Sequence, residues 1–298
     1  MKELAIIGPT ASGKSDLALR LALENNAYIL SLDSLSIYKD IDIASAKPSK
    51  EELALVKHFG VDLIYPNEEF SVSTFIDEYL SLKSRCQDEN KNLIIVGGSS
   101  FYLRTLLQGL SPIPKFSTDT LEKVELLLQD LNSAYKLLFD KDEIYMKDIS
   151  STDRYRIEKM LLIYVETGLC PTAYFEQNPP IATISNLPVY EIDVDRQTLR
   201  KRIELRTKKM IDAGLIDEVS SLEFKYTRKP NALDAIGIIE VFEYLDARVT
   251  KEQMQELIIT HTAQLAKRQQ TFNRNQFIDK KLLSIENIYE EVTTFFKI

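Results

Sequence analysis

The chain has 298 residues, of which 44% are hydrophobic and 28% charged, with a formal net charge of -8. This composition predicts a globular protein with a substantial core, in two domains or in one large domain with an insertion. Two distant cysteines and two histidines argue against a disulfide framework or a transition-metal site, and the absence of long apolar runs or an export signal predicts a cytoplasmic protein without membrane contact.

A short apolar strand is predicted over residues 4–7 and a helix over 16–24, and a glycine-rich loop joins them. The loop fits the phosphate-binding pattern G-x-x-x-x-G-K-[ST] as Gly8, Pro9, Thr10, Ala11, Ser12, Gly13, Lys14 and Ser15. Its glycines let backbone N–H groups converge on an anion, and the following helix adds its positive end. Lys14 supplies a full charge, and the Ser15 hydroxyl is placed to hold Mg²⁺. The segment predicts a polyphosphate or diphosphate site.

The second predicted strand, over 28–32, ends at Asp33. Residues that follow the strands of a parallel sheet face the ligand crevice, so Asp33 is expected beside the phosphate loop. Its carboxylate could hold Mg²⁺, act as a general base, or simply cap a helix. The polar segment over 33–48 is predicted to be an active-site loop.

Helices are predicted over 51–58 and 71–88, before a third buried strand that ends in Gly97-Gly98. Many phosphate-loop ATPases have an acidic residue at such a strand end to order Mg²⁺ and water. Its absence here disfavours a motor or switch ATPase.

After a further helix over 101–109, the chain breaks at Ser111-Pro112-Ile113-Pro114 and becomes helical over 120–131, 132–139 and 153–167. A strand over 188–194 then resumes the sheet pattern. The predicted fold is α/β, a P-loop NTPase-like parallel sheet core with an inserted helical domain. The core comprises 1–114 and 186–298, and the insertion 115–185.

The C-terminal region is predicted to be helical over 198–213, 216–224, 235–245 and 251–273. Arg202 and Arg206 are four residues apart and share a helix face, as an oxyanion clamp requires. Cations cluster in the first of these helices and again around Lys267-Arg268, which favours an RNA-binding surface or two solvated helix faces. Phe272 and Phe277 are candidates for base stacking or for burial.

Several segments together resemble the tRNA dimethylallyltransferase family, in order and over nearly the whole chain: Gly8 to Ser15, Asp33 to Lys39, Asp42 to Pro48, Val96 to Tyr102, and Ala266 to Gln269. The resemblance implies transfer of a dimethylallyl group from dimethylallyl diphosphate to the N6 amine of the adenosine 3′-adjacent to the anticodon, with release of diphosphate. The phosphate loop would then hold the leaving diphosphate and not ATP.

The same resemblance implies residue roles. Asp33 is the base, Thr10, Lys14 and Arg206 assist the leaving diphosphate, and Arg202 and the loop bind it with Mg²⁺ at Ser15. The tRNA anticodon stem-loop is expected to contact a further set: Asp33, Ser34, Leu35, Ser36, Ser99, Arg156, Lys267 and Arg268. A monomer is expected.

Two other interpretations remain open. An isopentenyltransferase acting on free AMP, or a P-loop small-molecule kinase, would share the loop and the core, although neither needs the insertion or the basic C-terminal region. A non-catalytic RNA-binding module that uses nucleotide as a structural ligand is disfavoured because Asp33, Ser15 and Lys14 are all present.

Overall fold

The computed structural model describes residues 1–297. Within that range the strands are β1 (Glu3–Ile7), β2 (Ala27–Leu32), β3 (His58–Phe59), β4 (Asn92–Gly97), β5 (Val189–Ile192) and β6 (Lys281–Leu283). They form one sheet in the order β3-β2-β4-β1-β5-β6, and every pairing is parallel. The predicted α/β class with a parallel sheet is confirmed.

The helices are, in chain order, α1 (Lys14–Glu24), α2 (Lys50–Leu55), α3 (Val72–Asp88), α4 (Ser100–Gln108), α5 (Thr118–Leu127), α6 (Leu131–Lys141), α7 (Glu143–Met146), α8 (Arg154–Thr167), α9 (Pro171–Gln177), α10 (Arg196–Asp212), α11 (Leu215–Tyr226), α12 (Ile238–Leu245), α13 (Lys251–Gln276) and α14 (Ile285–Lys297). No helix within residues 1–297 is both long and apolar enough to cross a bilayer.

The sheet is buried on both faces because side chains alternate along each strand. In β1, Ala5 and Ile7 belong to one apolar cluster, and Leu4 and Ile6 to another. The first cluster includes α3 and α4 side chains, and the second includes α1 and α14 side chains. The continuous apolar runs in the sequence reflect this two-sided burial.

Strand register aligns three chain segments at one edge of the sheet, the edge formed by the carboxyl ends of the strands. Ile7 at the end of β1 is paired with Gly97 of β4, and Gly97 is also paired with Leu32 at the end of β2. The phosphate loop, Asp33 and Gly98-Ser99 therefore begin side by side. This is the edge where open parallel sheets bind ligands.

The chain divides into two compact units, one of residues 1–107 with 184–298 and one of residues 108–183. The sequence interpretation had its boundaries at 115 and 185. The second unit is helical, and Leu138, Met146, Ile157 and Leu161 are central to its core.

Local differences from the predicted elements have simple causes. The helix expected over 51–58 ends at Leu55 because Val56 is extended, and His58-Phe59 form the short edge strand β3. The prediction missed β6, which is only three residues long and mostly exposed. It also missed α14, although Ile288 and Val292 of that helix are buried four residues apart.

Candidate active site

The phosphate loop is tightly folded. Gly13 has φ 95°, in the left-handed region that favours glycine, and Ser12 N–H donates to the Pro9 carbonyl at 3.2 Å. Gly8 has no positive φ, and a Cβ there would make a tight contact of 3.0 Å with Ser12 Oγ. The Ser12 hydroxyl is buried and has no hydrogen-bond partner within residues 1–297. The loop thus holds an unsatisfied polar group, as expected of a site for a polar ligand.

A cavity of about 970 Å³ opens beside this loop. Cations from three parts of the chain line it, namely Lys14, Arg20, Lys47, Arg202, Arg206 and Lys209. Ser15 also lines it, at the start of α1. The cavity can accept an anion larger than one phosphate group.

Helix α10 brings two arginines to the loop, as their spacing predicted. Arg202 Nη1 donates to the Ser12 carbonyl at 2.8 Å, and Arg206 Nη1 donates to Thr10 Oγ1 at 3.2 Å. The helix is also fixed by Leu199 and Ile203, which pack in a small apolar cluster with Ile259 and Ala266 of α13. The two guanidinium groups are therefore held against the phosphate loop by packing that does not involve the ligand.

The cations nearest the loop are poorly solvated. Burial lowers the pKa of Lys14 to about 8, with a further lowering from Arg206 and an opposing effect of Asp33. Burial also lowers the pKa of Arg206, again opposed by Asp33. A bound polyanion would stabilise both charges, so the site is electrostatically suited to diphosphate.

Asp33 begins the loop after β2 and shapes it. Its Oδ1 accepts hydrogen bonds from Leu35 N–H at 2.8 Å and Ser36 N–H at 3.2 Å. The helix-cap alternative is thus replaced by a local turn, which uses one carboxylate oxygen. Ser34 N–H donates to Ser99 Oγ at 3.1 Å, which joins this turn to the end of β4.

Three other predicted RNA-contacting residues differ in exposure. Ser34 is exposed, Leu35 packs against an apolar cluster, and Ser36 is only 3% exposed. The Ser36 hydroxyl lies 3.2 Å from Ser31 Oγ. In this conformation Ser36 supports the loop from inside.

The rest of the predicted active-site loop is held by polar contacts that the sequence interpretation did not assign. Glu218 of α11 accepts hydrogen bonds from the N–H groups of Asp42, Ile43 and Ala44 at 2.7 to 2.9 Å. Lys47 Nζ donates to the Tyr38 carbonyl, Asp42 and Asp62 at 2.6 to 2.7 Å. The only sequence signal for Glu218 is an acidic residue in the first turn of a helix.

The basic residues proposed for RNA binding lie on two helices. Lys267 and Arg268 are exposed on α13, whereas Phe277 is 6% exposed and packs in the core, which favours the burial alternative. Arg156, in the helical unit, has a side chain 63% exposed and lies 3.3 Å from Asp153. These cations are accessible to a large polyanion.

The donor set suits Mg²⁺ that arrives with a diphosphate. Residues 1–297 contain no group of three or more histidine, cysteine or acidic side chains placed to cage a metal. Mg²⁺ commonly takes few protein ligands and completes its shell with phosphate oxygens and water. Ser15, exposed at the cavity wall, fits that mode.

A family model described as IPP transferase matches residues 36–276, which is most of the chain. The chain belongs to the IPP transferase family. This family member is 57% identical over 277 residues to a tRNA dimethylallyltransferase from Sulfurimonas denitrificans, with 93% of each chain covered. It is 48% identical over 298 residues to a tRNA dimethylallyltransferase from Aliarcobacter butzleri, with 100% of each covered.

Solved structures resemble this IPP transferase family member along its length. A crystal structure of a tRNA delta(2)-isopentenylpyrophosphate transferase from Staphylococcus epidermidis has 27% identity and a TM-score of 0.70, covering 100% of this chain and 99% of that one. A eukaryotic dimethylallyltransferase acting on tRNA has 24% identity and a TM-score of 0.83, covering 95% and 73%. The latter likeness supports the fold.

Proposed function

We propose that this protein transfers a dimethylallyl group from dimethylallyl diphosphate to the N6 amine of the adenosine 3′-adjacent to the anticodon in tRNA, releasing diphosphate. The observation that carries the proposal is the alignment of β1, β2 and β4. The cationic phosphate loop and the Asp33 carboxylate therefore begin at the same sheet edge, which supports the proposal. Family membership and the names of the close relatives support the same reaction.

In the proposed reaction, the adenine N6 attacks the allylic carbon of the donor as the bond from that carbon to the diphosphate oxygen breaks. The N6 proton passes to Asp33, and the bonding electron pair leaves with diphosphate. A carboxylate base of this kind contributes roughly 10²- to 10⁴-fold to the rate.

Negative charge grows on the leaving diphosphate during this step. Lys14 and Arg206 carry poorly solvated positive charge at the phosphate loop, so they stabilise the departing diphosphate more than the less negatively charged donor before bond cleavage. Thr10, hydrogen-bonded to Arg206, presents its hydroxyl at the same place. Bound through Ser15 and phosphate oxygens, Mg²⁺ would supply additional positive charge.

The acceptor base must leave the anticodon-loop stack before Asp33 can reach its amine. Single-stranded loop recognition needs an accessible cationic surface. Lys267 and Arg268 on α13 are proposed to supply one such surface, and Arg156 is proposed to supply a separate contact from the helical unit. Because the proposed substrate is tRNA, we expect a cytoplasmic protein, and because one chain carries all the proposed groups, we expect it to act as a monomer.

The test is incubation of the purified protein and Mg²⁺ with labelled dimethylallyl diphosphate, unmodified tRNA in one tube and AMP in another. Label in tRNA alone supports the proposal. Label in AMP alone would identify a free-nucleotide enzyme. Label in neither, with phosphate transfer from ATP to a small molecule, would identify a kinase.

A further inference from the structure

Gln269 of α13 joins two segments of the sheet edge. Its Oε1 accepts a hydrogen bond from Thr10 N–H at 2.9 Å, and its Nε2 donates to the Gly98 carbonyl at 3.1 Å. One primary amide thus binds both the phosphate loop and the turn after β4. Gln269 is the acceptor in the first hydrogen bond and the donor in the second, and a primary amide can do both.

Gln269 closely approaches the backbone at Gly98. A Cβ added to Gly98 would lie 2.5 Å from Gln269 Nε2 and 3.3 Å from its Cδ. A φ in the left-handed region is not the reason, since Gly98 does not have one. A side chain at 98 would therefore displace the Gln269 amide.

The two segments joined by Gln269 belong to different halves of the proposed reaction. Thr10 is the phosphate-loop residue whose hydroxyl accepts from Arg206. Gly98 precedes Ser99, whose Oγ accepts from Ser34 N–H beside Asp33. Gln269 therefore directly connects the segment proposed to bind dimethylallyl diphosphate with the segment proposed to bind the adenine.

Helix α13 is itself fixed near Gln269. Asn273, one turn further along, is fully buried and donates from Nδ2 to Glu191 Oε1 of β5 at 2.8 Å. Ala266, on the preceding turn, is 1% exposed within an apolar cluster. Gln269 is consequently presented from a backbone that is anchored on both sides.

We propose that Gln269 is a positioning residue that sets the spacing between the diphosphate and the attacking amine. This inference rests on the proposed function, and it concerns the transfer step more than either binding step. Diphosphate still meets Lys14, Arg202 and Arg206 when Gln269 is changed. A misplacement of about 1 Å between reacting groups costs on the order of 10²-fold in rate.

The first test is Gln269→Glu, which keeps the side-chain length and the acceptor to Thr10 N–H but loses the donor to the Gly98 carbonyl. We expect the single-turnover transfer rate at saturating substrates to fall about 10²-fold. The dissociation constant of dimethylallyl diphosphate should rise no more than about tenfold, which is the effect expected from a negative charge added beside the phosphate loop. Gln264→Glu makes the same charge change at an exposed position of α13 and should match the parent.

The second test leaves Gln269 intact. Gly98→Ala should displace the Gln269 side-chain amide and give the same pattern, which is slow transfer with retained binding of dimethylallyl diphosphate. The double variant Gly98→Ala/Gln269→Glu should then lose far less transfer rate than the product of the two single losses, because both substitutions disrupt the same contact. Independent, multiplying effects would overturn the proposal.

Parent-like transfer by Gln269→Glu would overturn the inference and leave the proposed function standing. Loss of donor binding in proportion to transfer would also overturn it, by reducing Gln269 to a structural part of the diphosphate site. Absence of transfer by the parent itself would overturn the proposed function and this inference together.

Discussion

Arg206 donates a hydrogen bond to the hydroxyl of Thr10 at 3.2 Å, and this contact joins α10 to the phosphate loop across 196 residues of sequence. Neither residue alone makes a diphosphate site. Together they place a guanidinium beside a hydroxyl of the phosphate loop. The contact also orients the Arg206 guanidinium without using its full set of donors.

Substitution at this contact should affect the chemical step. Arg206→Met is expected to slow single-turnover transfer about 10²- to 10³-fold, because it removes a preorganised donor to the leaving diphosphate. Thr10→Val removes one hydroxyl hydrogen bond, worth about 1 kcal/mol, and should slow transfer several-fold. Rapid-quench assays on both variants and on the double variant test this, and strictly multiplying effects would show that the two side chains act independently.

Donor binding should weaken at alkaline pH because burial lowers the pKa of Lys14 to about 8. Above that pH the free protein loses the Lys14 proton, and the dissociation constant of dimethylallyl diphosphate should approach a tenfold rise per pH unit. A phosphate ester loses its last proton near pH 6, so the ligand does not titrate there. Calorimetric titrations from about pH 7 to about pH 9.5, which span the Lys14 transition, measure the slope.

Lys14→Met is the control for that slope. It should bind the donor weakly at every pH and lose the alkaline dependence, whereas an unchanged dependence would assign the titration to another group.

The free energy of unfolding should change with pH in the opposite sense to donor binding. Because the folded pKa is below that of the unfolded chain, the unfolded state binds more protons between about pH 8 and pH 10.5, and the Lys14 contribution to stability rises across that window.

Asp33 has a structural and a proposed chemical role, and Asp33→Asn separates them. Asparagine retains an oxygen that can accept from Leu35 and Ser36 N–H, but it is not a base. We expect transfer to fall roughly 10²- to 10⁴-fold while thermal stability and donor affinity stay near those of the parent. Transfer at the parent rate would remove Asp33 as the base, and Asp33→Ala should additionally loosen the turn.

Arg156 should matter for the tRNA and not for the donor. Arg156→Ala is expected to raise the KM for tRNA several-fold, more at low salt than at high salt, with an unchanged KM for dimethylallyl diphosphate. Lys123→Ala is a matched control in the same unit, because the Lys123 side chain is 60% exposed and also pairs with an aspartate. Equal effects of the two substitutions would indicate a general charge effect and no specific contact.

Glu218→Gln tests the support of the loop over 42–48. The carboxylate accepts from three successive N–H groups, whereas an amide offers only one oxygen and turns its NH₂ toward a donor. Loss of one charged hydrogen bond costs roughly 1.5 to 3 kcal/mol. Urea unfolding measures it, with Glu122→Gln as an exposed control, and equal midpoints would show that the loop does not depend on Glu218.

The sheet and its ligand edge follow from local signals in the sequence. The run Leu4 to Ile7 and the glycine pattern after it predict strand, loop and helix, and the clamp of Arg202 and Arg206 follows from helical spacing. What the sequence does not reveal is long-range pairing. Gln269 reaches Thr10 over 259 residues, and no periodicity or propensity encodes such a contact.

Short or partly exposed elements were not predicted from the sequence, for a related reason. β3 has two residues and β6 three, so neither forms an apolar run, and both depend on a neighbouring strand that is already in place. The burial of Ser36 also follows from tertiary packing, since a serine in a polar segment carries no sign of it.

The measurement that tests the central claim most directly is mass analysis of nuclease fragments from tRNA treated with the protein, Mg²⁺ and dimethylallyl diphosphate. Two transcripts are compared, one with adenosine and one with guanosine 3′-adjacent to the anticodon. The proposed function predicts a gain of one five-carbon unit in the anticodon-loop fragment of the adenosine transcript alone. An equal gain in both transcripts, or a gain only in free AMP added as a competitor, would contradict it.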